Sequence, residues 1–475
     1  MSRRVLIIAF FFLFVVKLGV SFNYAKRLFC RHPELGSGVL CSFTGDSFSY
    51  TGAMENYITS GEYYFLFNGK KVYAGRVPHY SIPYYLLRQV FDKETSLDLF
   101  VALQVLFETI AFFLVSLLIF EITRSKLTFF LSLLFSAASF FYTHYSIIPI
   151  TDAPAASLLL ISFWFLFRYL NSEIPRFKNW VFFSILLAIA TILRPYFGAI
   201  FILVAAILLF KYRLPVTNVF KKGAVYAIAL FFFLAPWIIR NYSRSGKLMI
   251  FQQDKYAGYD VSREVELTRS MLSSIGEDAS TTWDKTTAAG FFTPSMYKNS
   301  SWQVPAEILT DSLLKANFFA IRNLCIDGVD DRLQSAAFNL HYNVFIDGYR
   351  TRYKVKYYFL NYIRRVKKFL IHSGSYYFSY NKTDGCNKES DYYIKLGQSL
   401  FYYLCLIPGF IGLIWLAGVK KYGLIFLLPT ISLIIIFPII LGFIEWRYFL
   451  PFYFFHQIGL FYIVNRLILF FKPAI

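Results

Sequence analysis

Charge is scarce in this chain, and acid scarcer still. Only 16% of the 475 residues are charged, with 28 Asp and Glu set against 48 Lys and Arg. Cysteine is also sparse. The five (Cys30, Cys41, Cys325, Cys386 and Cys405) show no metal-ligand spacing, so a zinc-stapled or disulfide-framed scaffold is excluded. Cys30 and Cys41 share one polar loop, where a disulfide is compatible with the sequence but not required by it. No internal repeat, low-complexity tract or matching pair of broken helices occurs, which argues against solenoids and repeat-built transporters. The first apolar run, about eighteen residues after Arg3 and Arg4, is not followed by a small-residue cleavage site. It therefore reads as an uncleaved span rather than a signal peptide.

What is abundant is apolar surface: 57% of the residues are hydrophobic and 21% aromatic. No soluble domain of this length needs that much, so the expected class is an all-α polytopic membrane protein. The net charge of +20 would point to nucleic acid in a soluble protein. Here it follows the rule that cytoplasmic loops are positive, and no nucleic-acid partner is expected.

Runs near twenty residues predict about ten spans, at 5–22, 99–120, 127–142, 153–170, 180–194, 196–210, 223–239, 399–418, 422–443 and 449–468. The pairs Arg124/Lys126, Arg176/Lys178, Lys211/Arg213 with Lys221/Lys222, and Lys420/Lys421 all fall in alternate short loops. With Arg3 and Arg4 inside, every one of them lands on the cytoplasmic side, together with both termini. Two long polar segments, 23–98 and 240–398, then face outward. Three domains follow: a membrane module 1–239 carrying the first outward loop, an extracytoplasmic domain 240–398, and a three-span module 399–475. The segment 240–398 reads as a small mixed domain, with turns at Asp327-Gly328 and Asp347-Gly348. Residues 357–370 have the pattern of a basic amphipathic helix, either lying along the outer interface or packed on its own domain.

The residues able to carry chemistry gather on the outward face. Asp46 and Asp152 both lie there, and each is also well placed as a helix N-cap. Such a pair can deprotonate a hydroxyl or hold a divalent cation such as Mg or Mn, the one cofactor the sequence admits. Positive charge is under-used on outward loops, so Arg76, Arg194, Arg240 and Arg447 at this boundary need a reason. Guanidinium suits bidentate binding of phosphate oxygens, and Arg194 in particular has no acid near it in sequence. Salt bridging is the competing role, most of all for Arg447 with Glu445 two residues away. His79 and His144 are either structural or metal-binding. Lys17 and Glu108 each come to rest roughly 12 to 14 Å below the outer surface, so they are expected to pair. Asp327, Asp330 and Asp331 lack calcium-loop spacing and read as a turn. Asn241, Asn299 and Asn381 head sequons that matter only in a eukaryotic secretory membrane.

The order of motifs resembles a known family. Gly45-Asp46-Ser47 with Tyr50 leads to Gly75-Arg76-Val77-Pro78-His79-Tyr80, then Asp152, then Leu193-Arg194-Pro195. Pro236-Trp237-Ile238-Ile239-Arg240-Asn241-Tyr242 and Arg447-Tyr448-Phe449-Leu450-Pro451 complete it. This resembles the C-type (GT-C) integral-membrane glycosyltransferases, especially bacterial relatives of protein O-mannosyltransferases and of the lipid A aminoarabinose transferase. The resemblance implies a polyprenyl-phosphate sugar donor, transfer on the extracytoplasmic face of a bacterial inner membrane, and inversion at the anomeric carbon. It implies a lipid, glycan or protein acceptor, Asp46 as the catalytic acid of the first loop, and Asp152 as the assisting acid for substrate or metal. Arg76, Arg194, Arg240 and Arg447, with Tyr50, His79 and Tyr80, then become the substrate and phosphate contacts. Two departures bear on a protein acceptor: Asp46 is followed by Ser47 rather than Glu, and no large soluble domain follows the last span. A lipid-diphosphate-dependent polysaccharide polymerase or ligase and a lipid or glycan transporter are the alternatives.

Overall fold

The computed structural model describes residues 1–31, 39–41, 45–67, 70–73, 75–139, 141–246, 248–251, 263–278, 287–293, 297–327, 332–371 and 389–471. Asp330, Asp331, Asn381 and Cys386 lie outside them, as does the side chain of Cys30. The chain is an all-α polytopic membrane protein. Among the described residues, seven helices are long and apolar enough to cross a bilayer, and three shorter apolar helices, Lys126–Ala138, Phe177–Leu193 and Pro195–Phe210, lie where three of the ten expected spans fall. Among the described residues the only sheet is a hairpin of Phe65–Phe67 and Lys70–Val72. The chain divides into two compact units: residues 1–259, 373–430 and 450–475 form one, and 260–372 with 431–449 the other.

In the first unit, local chemistry sets the helix ends. Asp92 accepts from the Thr95 N–H and opens Lys93–Thr123, which Arg124 closes in the left-handed region at φ 60°. Ser125 then accepts from the Thr128 N–H to open Lys126–Ala138. The expected span at 127–142 stops short: Ser139 turns extended at ψ 117°, and Phe141–Ser146 is a separate helix. The break leaves a buried carbonyl, and the Lys17 ammonium donates to the Ser139 oxygen at 2.7 Å. The same ammonium lies 2.9 Å from Glu108, both side chains being fully buried, and 4.5 Å from the centre of the Phe112 ring. The pairing inferred from depth is therefore present, and it also caps the helix break.

Leu450–Phe471 is the central helix of this unit, buried continuously from Leu450 to Gly459. Its Gln457 donates to the Ser132 oxygens and to Ser136 Oγ (2.7 Å), and Asn465 accepts from Thr128. Against Glu389–Val419 it comes close enough that a Cβ on Gly412 would collide with the Gly459 carbonyl. Small residues let two membrane helices touch backbone to backbone in this way.

Among its described residues the second unit has helices and connecting loops but no strand, in place of the mixed domain expected from its turn signals. Its helices are Arg263–Ser274, Ser312–Asp327, Arg332–Arg352 and Asn361–Ile371, around a core that includes Met271, Phe318, Phe345 and Tyr349. Asp347-Gly348 is not a turn but lies inside Arg332–Arg352. A Cβ on Gly348 would stand 3.1 Å from Leu314 Cδ2, so glycine serves helix packing there.

Candidate active site

The first polar segment folds as a series of short helical turns: Gly45–Ser47, the wide turn Phe48–Gly52, Ala53–Ser60, then Pro78–Ser81 and Ile82–Arg88. Gly45–Ser47 and Phe48–Gly52 present Asp46, Ser49 and Tyr50 together. The Asp46 carboxylate is 3.5 Å from Nη2 of Arg76, and their side chains are 35% and 18% exposed. Arg76 Nε donates to Ser49 Oγ at 3.0 Å, and Ser49 in turn donates to the Asp46 carbonyl at 2.7 Å. The guanidinium also lies 4.8 Å from the centre of the Tyr50 ring. One turn of chain thus holds the acid, the cation and the aromatic plate beneath it.

From here the network runs inward. The Tyr50 hydroxyl is hydrogen-bonded to Thr151 Oγ1 at 3.0 Å, next to Asp152. Thr151 stands at the N-cap of Asp152–Leu170 but its side chain makes no cap bond. Asp152, whose side chain is only 2% exposed, is ion-paired with Nη2 of Arg194. Arg194 closes Phe177–Leu193, and its extended backbone before Pro195 turns the side chain across to the helix start at Asp152. An acid partner 42 residues away thus replaces the expected absence of one.

The turn ahead of Asp152 is fixed by Gln104, which donates to the carbonyls of Ser146 and Ile148 at 3.2 Å each. Gln104 also accepts from the Tyr80 hydroxyl at 3.0 Å, and Tyr80 packs edge-on against Tyr50 with ring centres 5.0 Å apart. Ser49, Thr151 and Gln104 escaped the sequence reading. Gln104 carries the one signal that could have found it, a polar amide within a long apolar helix.

Two other predicted residues tie this segment to Val216–Ser245. Arg240 donates to the carbonyls of Tyr63 and Tyr73 at 2.6 Å each and lies 5.1 Å from the Trp237 ring centre. His79 Nε2 donates to the Phe233 carbonyl at 2.7 Å, about one turn before Pro236, which lies inside that helix and removes one backbone donor from it. Burial lowers the affinity of the His79 imidazole for a proton, with the Phe233 bond opposing. Burial likewise holds His144 down at about 4, so both rings are neutral at pH 7. Arg447 belongs to the second unit and is ion-paired with Glu445. The structure thus brings Asp46, Tyr50, Arg76, Tyr80, Asp152 and Arg194 into one connected cluster, with Arg240 and His79 holding its loop.

No group of three His, Cys, Asp or Glu side chains able to hold a metal occurs among the described residues. Asp46 and Asp152 each already face a guanidinium. Cys41 is a free, buried thiol whose proton is held by burial, with Asp98 adding to the effect. Asn241, the head of one sequon, is buried within its helix.

The carboxylates differ in reach. Asp46 is open enough for an incoming hydroxyl, whereas Asp152 is closed off by its partner and its helix.

No family model matches the chain. No curated protein matches it either. Among solved structures, it is similar to the crystal structure of ArnT from Cupriavidus metallidurans bound to undecaprenyl phosphate. The two share 10% identity at a TM-score of 0.39, over 98% of this chain and 78% of that one.

Proposed function

We propose that the protein is a glycosyltransferase of the GT-C type, moving a sugar from a polyprenyl-phosphate donor to an acceptor hydroxyl, with inversion, on the extracytoplasmic face. The observation that carries this reading is the continuous run from Asp46 and Arg76 through Tyr50 and Thr151 to Asp152 and Arg194. It supplies one accessible base and two guanidiniums in a setting of low dielectric, where charge interactions gain strength.

In this mechanism Asp46 removes the proton from the acceptor hydroxyl as its oxygen attacks the anomeric carbon. The bond from that carbon to the lipid phosphate breaks, and the phosphate leaves as an anion. Arg76, held against the Tyr50 ring beside Asp46, supplies a guanidinium for that anion. Asp152 acts as a positioning residue that aims Arg194 at the same place, and the buried rings of Tyr50 and Tyr80 back the site and hold Arg76 in place. No cation is needed to balance the step.

The test is mass spectrometry of lipids that co-purify with the protein, followed by product analysis. A polyprenyl-monophosphate sugar and a single added residue on the acceptor support the reading. A lipid diphosphate with a ladder of product lengths would instead make the protein a polymerase or ligase.

A further inference from the structure

The helix Asn361–Ile371 combines three features that its sequence alone does not reveal. First, its inward face is Asn361, Arg365 and Phe369, all buried and spaced one turn apart. Phe369 stacks on Phe437 at 6.5 Å between ring centres and meets Phe449 edge-on at 5.9 Å. Arg365 donates to the Ile439 carbonyl at 3.4 Å. Residues 437 and 439 form the last turns of the membrane-crossing stretch Lys421–Leu441, so this helix is fastened to the end of a span.

Second, the opposite face carries exposed apolar side chains. Phe359 is 60% exposed, Ile363 49% and Ile371 50%, with Leu360 beside them. Leaving such side chains in water forgoes the free energy that their burial would contribute.

Third, most of the basic residues that give this stretch its amphipathic look are already engaged by acids. Glu277 is bonded to both Arg364 (2.7 Å) and Lys368 (2.6 Å). Lys356 pairs with Glu307 at 3.1 Å, Arg350 with Asp347 at 2.8 Å, and Arg352 with Asp311.

From these we infer that Phe359, Leu360, Ile363 and Ile371 insert into the bilayer surface at that end of the span, as an apolar wedge rather than a cationic patch. The end of the span at Leu441 sets the level, the exposed stripe supplies the contact, and the internal pairing withdraws the charge that would otherwise seek anionic headgroups. Lys367, which lies within the stripe, is long enough to carry its ammonium back to the headgroups. The inference stands whichever sugar or acceptor the protein uses.

The full-length protein is prepared with p-benzoylphenylalanine at position 359 or 363, placed in phosphatidylcholine nanodiscs or in discs containing phosphatidylglycerol, and irradiated. Phospholipid adducts are expected from both positions. Their yield should agree within about two-fold between the two lipid mixtures and between low salt and about 0.5 M NaCl, where charge attraction is screened beyond a few ångströms. Three outcomes overturn the inference: adducts to a second copy of the protein, no lipid adduct, or a yield about ten-fold lower without anionic lipid or at high salt.

Discussion

Asp46 and Asp152 are the same residue type on one connected network, yet their surroundings assign them different work. The 35% exposure of Asp46 leaves its carboxylate within reach of an incoming acceptor. Asp152 is sealed against Arg194. Substituting Asp152 with Asn should therefore act through its partner: kcat falls while the pH profile set by Asp46 keeps its shape. A profile displaced in Asp152→Asn would make Asp152 the base. Tyr50→Phe keeps the ring under Arg76 but cuts the bond to Thr151, at a cost of about 0.5–1.5 kcal/mol read as a lower unfolding midpoint. The sequence showed these residues as points on one face but not as pairs. Arg194 finds its acid 42 residues away, and Thr151, at the head of Asp152–Leu170, spends its hydroxyl on Tyr50. Such partnerships depend on how helix ends meet, which no local pattern encodes.

Among elements, the first polar segment depends on a side-chain junction between Ala53–Ser60 and Ile82–Arg88. Glu55 accepts from Tyr84 at 2.5 Å and from Arg88 at 2.7 Å. Burial alone would raise its carboxyl, but the bonds from Arg88 and Tyr84 together prevail and hold it below the ordinary value. A lowered folded value gives stability that is complete above the unfolded carboxyl value, about 4.3, and is lost as pH falls through the folded one. The unfolding midpoint of the detergent-solubilised protein should accordingly drop between about pH 5 and pH 3, and Glu55→Gln should flatten that part of the curve. An unchanged slope in the variant would remove Glu55 as a source of the acid sensitivity. The pairing of Glu389–Val419 with Leu450–Phe471 makes a second demand. Gly412→Val places a side chain against the Gly459 carbonyl and should cost at least about 1–3 kcal/mol, seen as lost folded yield. Element identity was largely legible, because long apolar runs announce helices. Element ends were less so: the run at 127–142 conceals the break at Ser139, where the helix ends and Lys17 supplies the missing hydrogen bond.

For the whole molecule, several of the polar groups inside the membrane helices are answered by one another. Lys17 meets Glu108, Gln457 meets Ser132 and Ser136, and Asn465 meets Thr128. That arrangement suits a rigid scaffold better than a path for a polar cargo. Breaking one half of the buried ion pair should be costly. Lys17→Met or Glu108→Gln alone should lose about 3–5 kcal/mol, and the double variant should recover much of it, since two apolar or neutral groups carry no stranded charge. Additive losses in thermal unfolding would show that the two do not act as a pair. The depth arithmetic that predicted this pair worked because a membrane fixes height along a helix, a constraint soluble proteins lack. Nothing comparable marks 240–398, and the glycine at 348 could be read as turn or as contact until the facing Leu314 was seen.

The central claim is that Asp46 performs the proton transfer beside a bound lipid phosphate. The most direct measurement compares wild type with Asp46→Asn in proteoliposomes, following both sugar transfer and retention of the co-purified donor lipid. The account predicts transfer reduced by about 10²–10⁴-fold with donor retention unchanged. Transfer at the wild-type rate in that variant would contradict it.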